Sequence, residues 1–556
     1  MALASASFLF LIPLVLSAPP HQNSICPTED DQFDYIVVGS GPGVGPLAVN
    51  LAEAGWSNSP LIPAFIGEVQ FDPVQSWEFY VKDYGNKTQA ARNNKLVWKK
   101  PAGGYWVGQN PPEGSTQLGV WYPRAGTLGG CDTYNGGITV RPSDWDWDDV
   151  RNLFLPPSTP GHGFSGYQPV GCGGKSLFEK EPQILAVAQG SAAAFGFTKD
   201  ERRRRYSSGS RVNEGVAKGL PLAVRYDSLV SKVLNDDALR ATGADPRFTE
   251  NDTGIRRTAT AKRKFIVAVG AFNTPRILLL SGIGPADELE KRNIFVSVDL
   301  HGVGRNLQDH YEVPMIQEYP NNFTFWDDCD ALEGQVNLCY EKREKDGTGP
   351  YSTLGFYNFV LNTSSVTPRK GERDLILYGA ADGILGHLPP YTDFTTRIIG
   401  ATNVYTYTVS ESQSRNRACA VTDGGDKDVQ GLIDGIEFAR KIFKSIPGLN
   451  GLTKKVYPGE DVETQEQLRQ YVRDQAYGHH ASSTAALGSG EDPLAILDCN
   501  FRVRGVKGLR VVDASAFPLI SIFMASEQAS EVILKDAASM AKELPEYRGA
   551  TRETTV

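Results

Sequence analysis

Three short apolar runs punctuate an otherwise mixed chain: Tyr35 to Val38, Phe265 to Val269 and Leu509 to Val512. Each leads into Gly, Ala or Asp and then a helical stretch, the pattern of a buried strand feeding a turn and a helix. Three such strands, spread over the whole length, can share one parallel sheet only if the intervening segments loop out. An interleaved second domain is therefore predicted. Two helices stand out. Asn273 to Leu280 follows Gly270 and stops at Ser281 and Gly282. Lys427 to Phe443 lines up Val429, Leu432, Ile433, Ile436 and Ile442 on one face, a stripe expected to pack. No internal repeat and no low-complexity segment divides the chain.

The first run carries chemistry. Phe33 to Gly45 reads FDYIVVGSGPGVG and precedes a helical Pro46 to Gly55. Glycine lets a backbone turn sharply against a pyrophosphate, and the following helix start offers N–H groups and a positive dipole end. Gly39, Ser40, Gly41 and Gly45 are accordingly candidate nucleotide contacts. Two departures from the GxGxxG pattern matter. Val44 stands where the third glycine belongs and is expected to crowd the helix against the strand. The acidic residue that should hold a ribose hydroxyl about 20 residues on is missing. Ile62 and Pro63 fill that stretch, and Glu68 arrives late. Weak nucleotide holding is predicted.

With 556 residues, two domains or one large interleaved unit are expected. A content of 40% hydrophobic residues, 22% charged residues and 57 glycines describes a loop-rich globular chain. The net charge of -9 argues against a nucleic-acid partner. The basic run Arg202 to Arg205, flanked by Asp200 and Glu201, reads as a solvated loop. Met1 to Ala18, with its apolar Phe8 to Leu16 and small residues Ser17 and Ala18, has the shape of a secretory signal too short to span a bilayer. Asn86, Asn251, Asn322 and Asn362 each open a glycosylation sequon, so a secreted glycoprotein without a membrane span is expected. The seven cysteines show no CxxC spacing, so no metal site is expected. Cys329 and Cys339, close together in a polar loop, are the expected disulfide. The odd count leaves at least one free thiol.

Four further segments make the glycine turn specific. They are YPRAGTLGGCDTYNGGITVRP (Tyr122 to Pro142), GAFNTPRILLLSGIGP with VGRNLQDH (Gly270 to His310), YGHHASSTAALG (Tyr477 to Gly488) and GLRVVDASAFP (Gly508 to Pro518). From about Asp34 to Lys535 their order resembles the glucose-methanol-choline (GMC) oxidoreductases, in particular the secreted fungal ones. The resemblance implies an α/β fold, with a Rossmann-like FAD-binding domain interleaved with an α+β substrate domain built on an antiparallel sheet. The implied division gives FAD-binding parts at 31–150, 216–310 and 476–540 and substrate parts at 151–215 and 311–475. It also implies FAD contacts at Thr127, Gly129, Gly130, Asn135 and Gly136 near the flavin ring. Val230 falls near the adenine, and Asp513 and Ala514 near the pyrophosphate and ribityl chain.

His480 is the implied catalytic residue, because His480, Thr484 and Gly488 keep the family spacing. Imidazole titrates near neutrality and can take the hydroxyl proton as the carbinol hydride leaves. His479 is expected to face elsewhere, and His310 to be structural. The usual second His or Asn is absent from Leu519 to Ser526, and the chain is short near Asn58 to Pro60 and near Arg415 to Ala420. The expected activity is oxidation of a small-molecule alcohol to a carbonyl by hydride transfer to flavin, in a fungal secondary-metabolic setting by analogy, with oxygen or a quinone as acceptor. A non-redox lyase or cyclase on the same fold, or a degenerate inactive relative, is the alternative.

Overall fold

The computed structural model describes residues 31–55, 76–126 save 83, 129–131, 215–224, 228–248, 259–323, 358–367, 373–389, 403–411, 425–446, 454–517 and 522–543, with a few isolated positions between. The three apolar runs meet as expected. β1 (Asp31–Val38) and β17 (Leu509–Val511) both pair in parallel with β8 (Ala259–Val267). Two antiparallel strands, β6 (Ser228–Asn235) and β7 (Ala241–Phe248), extend this sheet. Side chains alternate across it, as the pleat requires. Val38, Phe265, Val267, Leu509 and Val511 face α2 (Gly270–Leu280) through Ile277 and Leu278. Tyr35, Val37, Ile266 and Val512 face α1 (Gly45–Glu53) and α5 (Ile522–Glu543).

A six-stranded antiparallel sheet forms the second body, in the order β12 (Asn358–Asn362), β13 (Leu375–Ala380), β14 (Val404–Glu411), β11 (Tyr311–Glu318), β15 (Lys454–Tyr457), with β16 (Tyr477–Gly478) also on β11. The stripe read from sequence does pack. α3 (Asp426–Lys444) buries Val429, Leu432, Ile433, Ile436 and Ile442 against Leu375, Leu377, Tyr407 and Val409 of this sheet. α4 (Gln465–Gln475) adds Leu468 and Val472, its start fixed by a Thr464–Gln467 capping box. A smaller antiparallel sheet, β2 (Ser76–Val81), β5 (Thr116–Ala125), β3 (Leu96–Lys99) and β4 (Tyr105–Val107), joins through Val97, Val107 and Trp121 to Ile316, Leu385 and Val404. A short parallel pair, β9 (Ile283–Gly284) and β10 (Val298–Asp299), follows α2.

α5 runs from Ile522 to Glu543, where Ala525, Ala529, Ile533 and Ala537 form one buried face at four-residue spacing. One sequence expectation is corrected. Val44 does not crowd α1 away from the sheet. It is 1% exposed and packs with Tyr35, Val37, Leu47 and Ala48, because the close approach falls one residue earlier, at Gly43. Among the described residues no helix is long and apolar enough to cross a membrane. Cys499 is an exposed free thiol among the described residues, while Cys329 and Cys339 lie outside them.

Candidate active site

The turn after β1 is shaped by what it touches. Gly39 holds φ at +129°, and a Cβ there would lie 2.1 Å from the Ala268 carbonyl oxygen. A Cβ on Gly43 would lie 2.1 Å from the Val512 carbonyl oxygen. The turn is thus pressed against the ends of β8 and β17, and only glycine fits at either contact. Gly41 differs: a Cβ built there meets nothing within 4 Å. It faces a gap bordered by Gly130, whose own Cβ would come 2.7 Å from the Gly41 Cα, and the Gly129 N–H bonds the Ser40 carbonyl at 2.9 Å. The N-cap residue, Val44, contributes no side-chain cap to α1. The result is an open cradle with a glycine at each wall.

α5 closes the cradle from behind. Ser526 Oγ accepts the Leu47 N–H at 3.1 Å and donates to the Gly43 carbonyl at 2.9 Å, which inserts a hydroxyl into the first turn of α1. Asn50 Nδ2 donates to Glu527 Oε2 at 2.7 Å one turn further along.

The histidine segment is stitched to the cradle by backbone bonds. The Ser483 and Ala485 N–H groups donate to the Ala514 and Ser515 carbonyls at 3.1 and 2.7 Å, and Thr484 Oγ1 donates to the Ala271 carbonyl at 2.6 Å. Asp513 is buried and accepts from Gly270 N at 2.9 Å, Thr274 Oγ1 at 2.6 Å and Ser515 N at 2.7 Å. Its carboxylate is therefore spent on ordering the start of α2, and what this segment turns toward the cradle is backbone.

Asp309 fixes the histidines. Its Oδ1 accepts the His310 and His480 N–H groups, each at 2.8 Å, and its Oδ2 accepts the Tyr122 hydroxyl at 2.5 Å. That hydroxyl in turn accepts the Ala481 N–H at 2.8 Å. Arg124 lies over the Tyr122 ring at 4.5 Å and donates to the His479 carbonyl. Burial pushes the Asp309 carboxyl up to about 6 and the Tyr122 phenol well above its ordinary value.

Pairing of β16 with β11 sets Glu312 opposite Tyr477, within reach of both following histidines. Glu312 Oε2 is 3.7 Å from His479 Nδ1, and Oε1 is 3.9 Å from His480 Nδ1. The carboxylate is sealed, with its side chain 3% exposed, whereas the imidazoles are 24% and 27% exposed and form the accessible edge. Tyr378 donates to Glu312 Oε1 at 3.2 Å, and Tyr477 and Ser410 add hydrogen bonds. Burial nevertheless pushes Glu312 up to about 8. The same burial holds His479 and His480 well below the usual imidazole value, reinforced by neighbouring imidazoles and Arg124. His387, whose ring centroid is 4.7 Å from that of His479, is lowered to about 4 by burial. His310 completes the group at 5.8 Å from His480. Four of the chain's 7 histidines converge here, and burial keeps His387, His479 and His480 neutral at physiological pH.

The expectation that His479 faces elsewhere is overturned, because its ring lies 3.9 Å from that of His480 and points Nδ1 at the same carboxylate. Gly39, Ser40, Gly41, Gly129 and Gly130 come together in the cradle, with Gly45 buried in the first turn of α1. Val230 is half-buried on β6, packed against the core on the α2 side of the parallel sheet. Thr127, Asn135 and Gly136 lie outside the described residues, as do 56–75, where the ribose acid was sought. Sequence reading passed over Glu312, Asp309, Tyr122 and His387. For Glu312 a signal existed, since a charged residue opens the otherwise buried run YEVPMIQE.

A parallel sheet ending in a glycine cradle, with a neutral histidine pair stitched beside it, has the form of a dinucleotide-dependent enzyme. Two models of the GMC oxidoreductases match, the N-terminal part at residues 186–312 and the C-terminal part at 412–525. The chain is 27% identical to an oxidoreductase of Emericella nidulans, over 96% of this chain and 98% of that protein. It is 24% identical to the mitochondrial choline dehydrogenase of Mus musculus, over 96% and 95%. Among solved structures, a formate oxidase of Aspergillus oryzae superposes with a TM-score of 0.68 at 17% identity, covering 94% of this chain and all of that one. This chain belongs to the GMC oxidoreductase family.

Proposed function

We propose that this chain is an FAD-dependent oxidoreductase that converts an alcohol to a carbonyl compound, with His480 as the base. The observation that carries it is a neutral, partly exposed imidazole locked by Asp309 and tied through Thr484 and Ser483 to the walls of the glycine cradle. The cradle fits the cofactor. The gap beside Gly41 admits a phosphate where any side chain would fill it, and the start of α1 supplies the matching dipole end. Bound there, FAD supplies the hydride acceptor.

The residues do the rest. His480 Nδ1 faces Glu312, so Nε2 is the nitrogen left to take the hydroxyl proton. Its depressed basicity keeps it unprotonated and ready at neutral pH. Tyr122 and Asp309 fix the backbone on both sides of the ring, so its approach angle does not depend on its own hydrogen bonds. His479 packs against His480, with His387 against His479 in turn.

Dioxygen or a quinone completes the cycle in this reading, and the apolar N-terminal run with its sequons supports action along the secretory route. The decisive experiment is anaerobic mixing of the yellow holoprotein with choline, aryl alcohols and sugars in turn. Loss of the visible flavin band with the wild type, and its persistence with His480→Asn, is the expected result. Product formation without any bleaching of the flavin overturns it.

A further inference from the structure

We propose that Glu312, His479 and His480 form a site for one divalent transition-metal ion, best suited to Zn2+, and that occupancy of this site turns the enzyme off. Three observations converge. The ligand atoms of these residues all lie within 4.8 Å of one another. His479 Nδ1 and His480 Nδ1 are buried and have no hydrogen-bond partner among the described residues, although both point at a carboxylate. The carboxylate is itself anchored by Tyr378 and Tyr477, which leaves its oxygens oriented toward the rings.

Two imidazoles and one carboxylate suit zinc at bond lengths of about 2.0 to 2.2 Å, with an open position for water. Tetrahedral bonds of that length bring donors to about 3.4 Å apart. The separations of 3.7 and 3.9 Å to the two carboxylate oxygens are a few tenths of an ångström wider, and within the 4.8 Å that bounds the whole set side-chain rotations draw the donors together. No local spacing announces the site, because Glu312 comes from β11 and the histidines from the segment after β16. The cost to catalysis follows from ring chemistry. A cation on Nδ1 of His480 withdraws charge from the whole imidazole, and Nε2 then cannot accept the proton of an alcohol.

The test uses full-length holoprotein treated with EDTA and titrated with Zn2+ calorimetrically in the absence of substrate. One ion per chain is expected, with affinity weakened at least tenfold by His479→Gln or by Glu312→Gln. His301→Ala, which removes an exposed histidine 3.7 Å from Asp299, should leave binding unchanged. Co2+ in place of Zn2+ should give the visible absorption of a low-symmetry site, and the flavin spectrum and melting point of each variant verify that it is folded. No saturable binding, or binding that survives both His479→Gln and Glu312→Gln, or that disappears with His301→Ala, overturns the proposal. Turnover should fall in step with occupancy while KM stays constant. Stoichiometric binding with full turnover would overturn the regulatory part and count against His480 as the base, whereas the calorimetry stands independently of that reading.

Discussion

The Tyr122 hydroxyl lies 2.5 Å from Asp309 Oδ2 while accepting the Ala481 N–H at 2.8 Å, so one phenol ties β5 to the histidine segment and to the end of the NLQDH motif. Both groups are buried. Tyr122→Phe should leave the carboxylate oxygen and the Ala481 N–H short of a partner, at about 1 to 3 kcal/mol of stability. A lower melting temperature and a fall in kcat of about tenfold or more are expected, with KM less affected, since a loosened His480 backbone degrades orientation before binding. Unchanged kcat would show that Tyr122 supports the fold alone.

His480→Asn should lower kcat by roughly 10² to 10⁴ while the protein stays yellow. His479→Asn removes a neighbour rather than the base, and a smaller loss is expected. Equal losses for the two would mean that the proton is shared across the pair, and steady-state kinetics on both variants decides.

Stability should fall as pH rises toward alkalinity. Glu312 is pushed up to about 8 in the folded chain from an ordinary 4.5, so between those values the folded state holds a proton that the unfolded state has lost. Stability from this group is therefore greatest below the ordinary value and declines through the window. Asp309 at about 6 and Asp382 at about 7 act in the same sense but finish earlier. The histidines, lowered by burial, act oppositely and only in acid. Glu312 carries the decline furthest toward alkaline pH, and Glu312→Gln, which cannot ionise, should lessen the fall in melting temperature above about pH 7.

Gly41 and Gly43 should separate binding from folding. Gly43→Ala places a methyl 2.1 Å from the Val512 carbonyl oxygen, a backbone clash that should prevent soluble expression or lower the melting point sharply. Gly41→Ala enters open space and should fold, yet it fills the gap where phosphate would sit. Its melting point without FAD should match the wild type, and the stabilisation that FAD gives should shrink. A Gly41→Ala protein that still binds FAD fully would remove this turn from the cofactor site.

Ser526→Ala tests the back of the cradle. It strips a hydroxyl that serves both the Leu47 N–H and the Gly43 carbonyl, and about 1 to 2 kcal/mol of stability should go with it. Chemical denaturation measures this directly.

What was legible in the sequence was local or periodic. β1, β8 and β17 announced themselves as apolar runs closed by small residues, and α3 as a stripe recurring every three to four positions. His480 was legible through its spacing to Thr484 and Gly488. The hidden parts are pairings across distance: Tyr122 with Asp309, 187 residues apart, and Leu47 with Ser526, 479 apart. Tyrosine or serine in such a place looks like any other. Glu312 shows the same limit, since its role depends on the register of β16 against β11 and nothing within its own strand specifies that. Val44 misled for a related reason. The pattern assigned the tight contact by counting along the chain, whereas the fold placed it at Gly43.

The bond between Ser526 and Gly43 also dictates an order of events. The first helix cannot receive its hydroxyl, nor β8 its partner β17, until nearly the whole polypeptide has been made. Nascent chains must therefore wait with an unfinished nucleotide site, and contacts of such long sequence separation form slowly. A protein cut short before α5 would keep most of its residues and lose the Ser526 hydroxyl and the Ala529 and Ile533 packing that back the glycine turn.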